Sequence, residues 1–524
     1  MIKNKVSHAK KKRSLKKFLI GTVLLTWTIL TSTVASGEEL SQYGLADEKI
    51  QKIDRLVRDE MKRNHAPGLA LSIVMNNKTV YQKSYGFANL EKKIPVTDDT
   101  LFEIGSNTKA FTAIAVMQLS DKGLIDLTDP VQKYIPWLKM KYSGQIANIT
   151  IEQLLHHTSG IPFESIGDIP VSSDNKSLEI TVRKLTNHEL KFAPGEVFEY
   201  ATINYAILGL IIQTVSGQSY EDYMKEYILN PLELDNTYFF IDKTKKHLKA
   251  QGYKFGFNKP MAFDPPYYRG NAPSSNMVSN LHDMDHWLKI QLETDNSQPL
   301  YKFIKESQNS PKLSKDLQYG MGWNIAGNGA VLFHNGSTPS FSSFIVLHPE
   351  ERLGIVVLSN SLSTFTDPLG KVIDAIIHGG FPEQAPMIEN DYYVGLDKTY
   401  SMVTYIVSPI AMLVLFLLAR MLYRMATKQR FFSGFNSRFY ISTAILFFYI
   451  SAFSLLFYSL PDLLFRKLPW RFVIVWAPYS IYAALILIYS LINLSFVYFW
   501  LRYIFKVKRK LNEISSVSSW EDRI

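Results

Sequence analysis

The chain has 524 residues, more than one small core needs, which suits a large domain with additional parts. Its net charge of +10 splits into +8 over residues 1–35 and +10 over residues 420–524, leaving −8 for the stretch between; the basic excess lies at the ends, and a nucleic-acid partner loses its electrostatic support. There is no cysteine, which excludes disulfides and thiolate metal sites.

The first predicted element is a secretory signal peptide over residues 1–35. Lys10, Lys11, Lys12, Arg13, Lys16 and Lys17 form its positive region, residues 18–30 are apolar, and Thr33-Val34-Ala35 offers small residues for cleavage. An uncleaved anchor helix is the competing reading. Residues 36–395 are expected to form a globular domain. Ile50, Ile53, Val57 and Met61 recur at helical spacing. Two β-rich runs, 69–75 and 79–85, flank the turn residues Asn76-Asn77-Lys78 and predict a hairpin. Residues 106 to about 290 are mostly helical or irregular, after which 330–334, 341–347 and 354–358 read again as strands and 369–378 as a helix. Strands at both ends of a helical middle predict an α+β fold: one antiparallel sheet, terminal helices packed on it, and a helical insert.

From residue 396 the chain is expected to form a membrane domain. Residues 402–422, 439–460 and 479–501 are apolar and long enough to predict three transmembrane helices. Arg420, Arg424, Lys428, Arg430 and Arg438 crowd the first connection, and Lys506, Lys508, Arg509 and Lys510 follow the third span. Basic residues mark the cytoplasmic side, so the globular domain is expected outside the cell. Arg466, Lys467 and Arg471 in the second connection run against that bias.

Chemistry is carried first by Gly105-Ser106-Asn107-Thr108-Lys109 at the start of a helical run. Ser-x-x-Lys there places a hydroxyl and an amine one turn apart on one face. Serine needs a base at neutral pH, and a lysine serves if desolvation lowers its pKa. The positive helix end favours a developing oxyanion. A capped surface helix with an exposed lysine is the structural alternative. Downstream, Tyr200 in Pro194-Gly195-Glu196-Val197-Phe198-Glu199-Tyr200 offers a phenol for proton relay, or is a core tyrosine. His334-Asn335-Gly336 ends a strand before Ser337, and a strand edge there supplies a backbone N–H opposite that of Ser106.

In this order, with Leu154-Leu155-His156-His157-Thr158-Ser159-Gly160 between the first two, the motifs resemble the class C β-lactamase and penicillin-binding-protein-like serine hydrolases over roughly residues 45–380. The resemblance implies that Ser106 is acylated, that Lys109 and Tyr200 share the acid–base work, and that the N–H groups of Ser106 and a residue near Ser337 form the oxyanion hole. His334 stands where the family has Lys or His. His156 and His157 belong to a structural loop, with no metal and no cofactor expected, and Asp283 and Trp287 to another structural segment. Thr202 replaces the Asn usual in the second motif, which departs from ordinary β-lactam handling; Ser340-Phe341 departs from a common Gly-Phe pair.

The layout also resembles the prodrug-activating peptidases of nonribosomal peptide pathways, in which an outward serine peptidase domain precedes three transmembrane helices and removes an N-acyl-D-asparagine cap. On that resemblance Glu103 and Asn335 become candidates for contacting a carboxamide, and Thr202, a hydroxyl in place of the usual amide, for reshaping the pocket, although Glu103 also reads as a brace for the active-site turn. The expected partners are a small peptide or acyl-peptide substrate and membrane lipid, without nucleic acid. An esterase, a cell-wall D,D-peptidase or β-lactamase-like enzyme, and a non-hydrolytic cell-wall sensor are the alternatives.

Overall fold

The computed structural model describes residues 45–239, 246–295, 300–309, 318–380 and 391–507. The expected signal peptide and the tail after residue 507 lie outside the described residues.

The fold is α+β. Its centre is an antiparallel sheet of eight strands: β1 (Gly68–Met75), β2 (Lys78–Asn89), β3 (Ile94–Pro95), β4 (Gln318–Tyr319), β5 (Asn324–Ala326), β6 (Val331–Thr338), β7 (Phe341–His348) and β8 (Leu353–Ser359), in the order β4-β5-β6-β7-β8-β1-β2-β3. The two ends of the sequence meet where β1 pairs with β8, Leu71 opposite Val357. Central strands are covered on both faces, so β1, β7 and β8 read as unbroken apolar runs. In β1, Leu69, Leu71 and Ile73 face α1 (Asp47–Arg63) and the later helix Thr366–Ile377, while Ala70 and Val74 face the helical insert. Asn76 and Asn77 turn the β1–β2 hairpin at φ of 49° and 62°, a region that Asn tolerates better than most residues.

In the insert, α2 (Thr108–Asp121) is buried from Thr108 through Leu119. Phe111 stacks on Trp287 of α4 (Leu281–Leu292) at 4.0 Å between ring centroids, and α3 (Ile203–Ser216) lies against the other side. The helix that begins at the Ser106 turn is therefore buried along almost its whole length.

After α5 (Thr366–Ile377) come α6 (Tyr392–Ala426), α7 (Ser437–Tyr458), the short α8 (Trp470–Trp476) and α9 (Tyr479–Ile504). Helices α6, α7 and α9 are long and apolar enough to cross a membrane. At 35 residues, α6 is about 52 Å long, well beyond the roughly 30 Å hydrocarbon layer. Its first turns use that excess to dock on the globular part. Asp391 caps the helix and accepts from Ser363 Oγ at 2.6 Å. Asp397 accepts from the backbone N–H groups of Phe257 and Asn258 at 3.0 and 2.6 Å and from Ser480 of α9 at 2.5 Å. The α7–α9 connection docks too: Arg466 pairs with Glu164 at 3.0 Å, and Arg471 Nη2 donates to Gly167 O at 2.9 Å. At the opposite ends of the helices, residues 430–432 pair with 505–507. Arg466 and Arg471, two of the three basic residues that blurred the charge bias, are thus partners of the globular domain.

Candidate active site

A sharp turn carries Ser106. Gly105 has φ of +52°, and a Cβ there would stand 2.4 Å from the Ser337 nitrogen; one on Gly336 would stand 2.0 Å from Ile104 O. Both glycines are required for β6 to lie against the turn. Asn107 Nδ2 and Ile104 O bind Ser343 Oγ of β7, each at 2.8 Å, which clamps turn to sheet.

One turn on, Lys109 is fully buried. Its Nζ lies 3.0 Å from Ser106 Oγ and 3.0 Å from Ser274 O, and sits over the rings of Tyr200 and Tyr205. Among the described residues no carboxylate forms an ion pair with it. Burial with no compensating charge drives its pKa well below the ordinary lysine value. Tyr200 lies within hydrogen-bonding reach of Ser106, and burial raises its pKa, so the phenol keeps its proton. The hydroxyl therefore has a neutral amine on one side and a protonated phenol on the other, the pairing of base and acid that acyl transfer needs.

The surroundings hold this trio. His157, at φ of +56°, stacks on Tyr200 at 4.4 Å between centroids, and its Nδ1 accepts from Ala201 N at 3.3 Å. His334 is buried; its Nδ1 donates to Asn335 O at 2.7 Å, so Nε2 accepts from Tyr319 Oη at 3.1 Å. Burial and the neighbouring Lys109 push its pKa down to about 3, so His334 is neutral at physiological pH. Thr202 is buried, and its carbonyl oxygen accepts from Ser274 Oγ at 2.8 Å, fixing the segment whose carbonyl holds Lys109. Glu103 pairs with Lys249 at 2.6 Å, and Ser337 lies beside the Gly105 turn; both line a cleft next to it.

The structure thus gathers Ser106, Lys109, Tyr200, His334 and Ser337 and sets Glu103 and Thr202 at their edge. It does not bring Asn335 into the group: that side chain is exposed and shares the face of Phe333, opposite His334. Sequence reasoning missed Ser274, Lys249 and Tyr319. The stretch holding Ser274 carried a family signal, whereas neither of the others stands out among so many lysines and tyrosines.

A family model described as Beta-lactamase matches residues 53–375. The chain is 34% identical over 450 residues to "Protein flp" of Staphylococcus aureus (strain COL), a match covering 84% of this chain and 88% of that one. It is 27% identical over 344 residues to "Beta-lactamase" of Escherichia coli (strain K12), covering 59% and 88% respectively. Among solved structures, it is similar to the octameric penicillin-binding protein homologue from Pyrococcus abyssi, with a TM-score of 0.58, 29% identity, and coverage of 67% of this chain and 81% of that one.

Proposed function

The chain belongs to the beta-lactamase family, and we propose that it is a membrane-anchored serine hydrolase with an extracytoplasmic catalytic domain, working through an acyl-enzyme on Ser106. The observation that carries this reading is the Lys109 amine, buried without a carboxylate partner and 3.0 Å from Ser106 Oγ. The neutral amine takes the Ser106 proton as Oγ attacks the substrate carbonyl carbon. The negative oxygen forms against the N–H groups of Ser106 and Ser337. Tyr200 delivers a proton to the leaving atom, the scissile bond breaks, and an ester on Ser106 results. Water then attacks that ester and gives its proton to the Tyr200 phenolate, the C–O bond to Ser106 breaks, and the Lys109 ammonium returns the first proton to Ser106 Oγ as the acid product leaves.

The location rests on charge. The first connection and the residues after α9 are basic, and the α8 side packs on the catalytic domain. On the substrate, we propose an amide following an N-acyl-D-amino acid, with D-Asn as the preferred residue. Thr202 in place of the usual Asn, and the Glu103–Lys249 pair in the cleft wall, support it: a carboxylate and an ammonium side by side accept from and donate to a carboxamide. A site built to hydrogen-bond such a group rejects analogues without it. Purified protein given a matched panel of N-acyl-D-Asn, D-Ala, D-Leu and L-Asn amides tests this. Preference for the D-Asn amide by about 10²-fold or more is expected. Equal rates, or preference for L-Asn, refute the D-Asn assignment and leave a general hydrolase.

A further inference from the structure

Between the catalytic domain and the α7–α9 connection lies a cavity of about 880 Å³, within the range of sites that hold a whole small ligand. Its polar wall includes Glu103, Ser275 and Ser337. These flank the nucleophile: Glu103 precedes the Gly105 turn, Ser337 touches it, and Ser275 follows the carbonyl that holds Lys109. Another wall comes from α8, through Phe472, Val475 and Trp476. Helix α8 has two apolar faces. Val473 and Ala477 pack with Ile481, Leu396 and Leu485 in a cluster within the membrane part. Phe472 and Trp476, one turn apart and stacked at 5.4 Å between centroids, turn the other way, are only half-buried, and face the cavity together with Ile169 and Pro265.

The helix is held there by polar ties. Arg471 Nη2 donates to Gly167 O at 2.9 Å, and Lys254 Nζ to Ile474 O at 3.0 Å. Pro469 packs so closely on Gly167 that a Cβ at that glycine would lie 2.5 Å from the proline ring. An aromatic pair left facing open space forgoes the stabilisation of apolar burial unless a ligand covers it. Lys246, Asp264 and Arg471 also line the cavity, and among the described polar lining residues Glu103, Ser275 and Ser337 flank the Ser106 turn. A molecule filling the cavity therefore has its polar, reacting end at the serine and its hydrocarbon against α8.

We propose that this cavity is an acyl-chain subsite: it holds the hydrocarbon tail of the amphiphilic substrate that acylates Ser106, and Phe472, Val475 and Trp476 select for that tail. The membrane part is then a component of the specificity machinery as well as an anchor. The inference rests on the reading of Ser106 as nucleophile, and its test separates the two. Full-length protein in phosphatidylcholine nanodiscs is reacted with ethyl and decyl fluorophosphonates, and modification of Ser106 is timed by mass spectrometry. The decyl probe is expected to react faster, by on the order of tenfold or more, as burial of a few methylenes implies. Partition of the probe into the bilayer is common to every variant, so the decyl-to-ethyl ratio is compared between proteins. The Phe472→Ala/Trp476→Ala double variant removes the aromatic wall, and Val475→Trp fills the cavity; each is expected to lower the ratio at least fivefold. A ratio unchanged in both, including a proportional loss of both rates, overturns the subsite. Failure of either probe to modify Ser106 in the wild-type chain overturns the serine hydrolase reading instead.

Discussion

Replacing Lys109 with methionine is expected to separate catalysis from stability. The wild-type amine is buried, faces no carboxylate, and has its pKa held well below 10.5 by desolvation. The ceiling on the cost of keeping it neutral at pH 7 is the work of deprotonating an ordinary lysine, about 5 kcal/mol. Against that, methionine loses the bonds to Ser106 Oγ and Ser274 O, roughly 1 kcal/mol each, and strands the Ser274 carbonyl at a further roughly 1–3 kcal/mol. The balance allows the variant to be more stable than wild type at pH 7 by about 1 kcal/mol. The sign of the pH dependence is sharper. Because the folded-state pKa lies below the unfolded value, the unfolded chain binds more protons across the window between the two, and wild-type stability falls as pH falls through it. Methionine has no such dependence, so the advantage of Lys109→Met grows by up to about 1.4 kcal/mol per unit as pH drops below 10.5, until the lowered folded-state pKa is reached. Phosphonylation of Ser106 falls by at least about 10²-fold, and approaches the loss from Ser106→Ala because the groups act together. Fluorescence-detected melting of both proteins at pH 6, 7.5 and 9, with fluorophosphonate labelling alongside, reads both effects. Parallel melting curves across pH, or a variant whose advantage shrinks toward pH 6, refute the buried neutral amine.

Gly105→Ala places a methyl group 2.4 Å from Ser337 N at a φ of +52°, so labelling of Ser106 is expected to fall by about 10²-fold or more with the protein still folded by circular dichroism. Protonated His378 donates to the Asp374 carboxylate beside it, which raises its pKa to about 9; it contributes stability fully present below pH 6.5 and lost as pH rises through about 9. The melting-temperature gap between wild type and His378→Gln is therefore largest near pH 6 and closes by pH 10; a gap that widens with pH contradicts the pairing. Because the chain has no cysteine, single cysteines report topology. Exposed Glu196→Cys is expected to react with an impermeant maleimide in intact cells and exposed Lys428→Cys only after permeabilisation, and the reverse pattern rejects an outward catalytic domain.

The sheet was legible because its central strands are covered on both faces and stand out as apolar runs. Their ends were not: β6 runs on through Asn335-Gly336-Ser337 to Thr338, a polar stretch that is strand because it stays paired with β7, Ser337 opposite Ser342. Strands of two or three residues, such as Gln318–Tyr319 and Ile94–Pro95, carry no periodicity at all. Ser106 and Lys109 were legible because one helical turn fixes their relation. Ser274 and Lys249 reach the site from distant segments, and nothing local marks Lys249. Asn335 was read into the site from its place in the His334-Asn335-Gly336 motif, yet adjacent residues of a strand face opposite ways. The α8 segment was legible only as an anomaly of charge, whose cause is the docking of Arg466 and Arg471 on Glu164 and Gly167.

The most direct test of the account is to map where a fluorophosphonate attaches and what it depends on. Full-length protein is treated with the probe, digested, and the modified peptide sequenced by mass spectrometry at several pH values. The account predicts one adduct, on Ser106, absent from Ser106→Ala, with a rate that rises with pH and reaches its plateau well below the ordinary lysine pKa of 10.5 because Lys109 is already neutral there. An adduct on another residue, or labelling of Ser106 that persists undiminished in Lys109→Met, contradicts it.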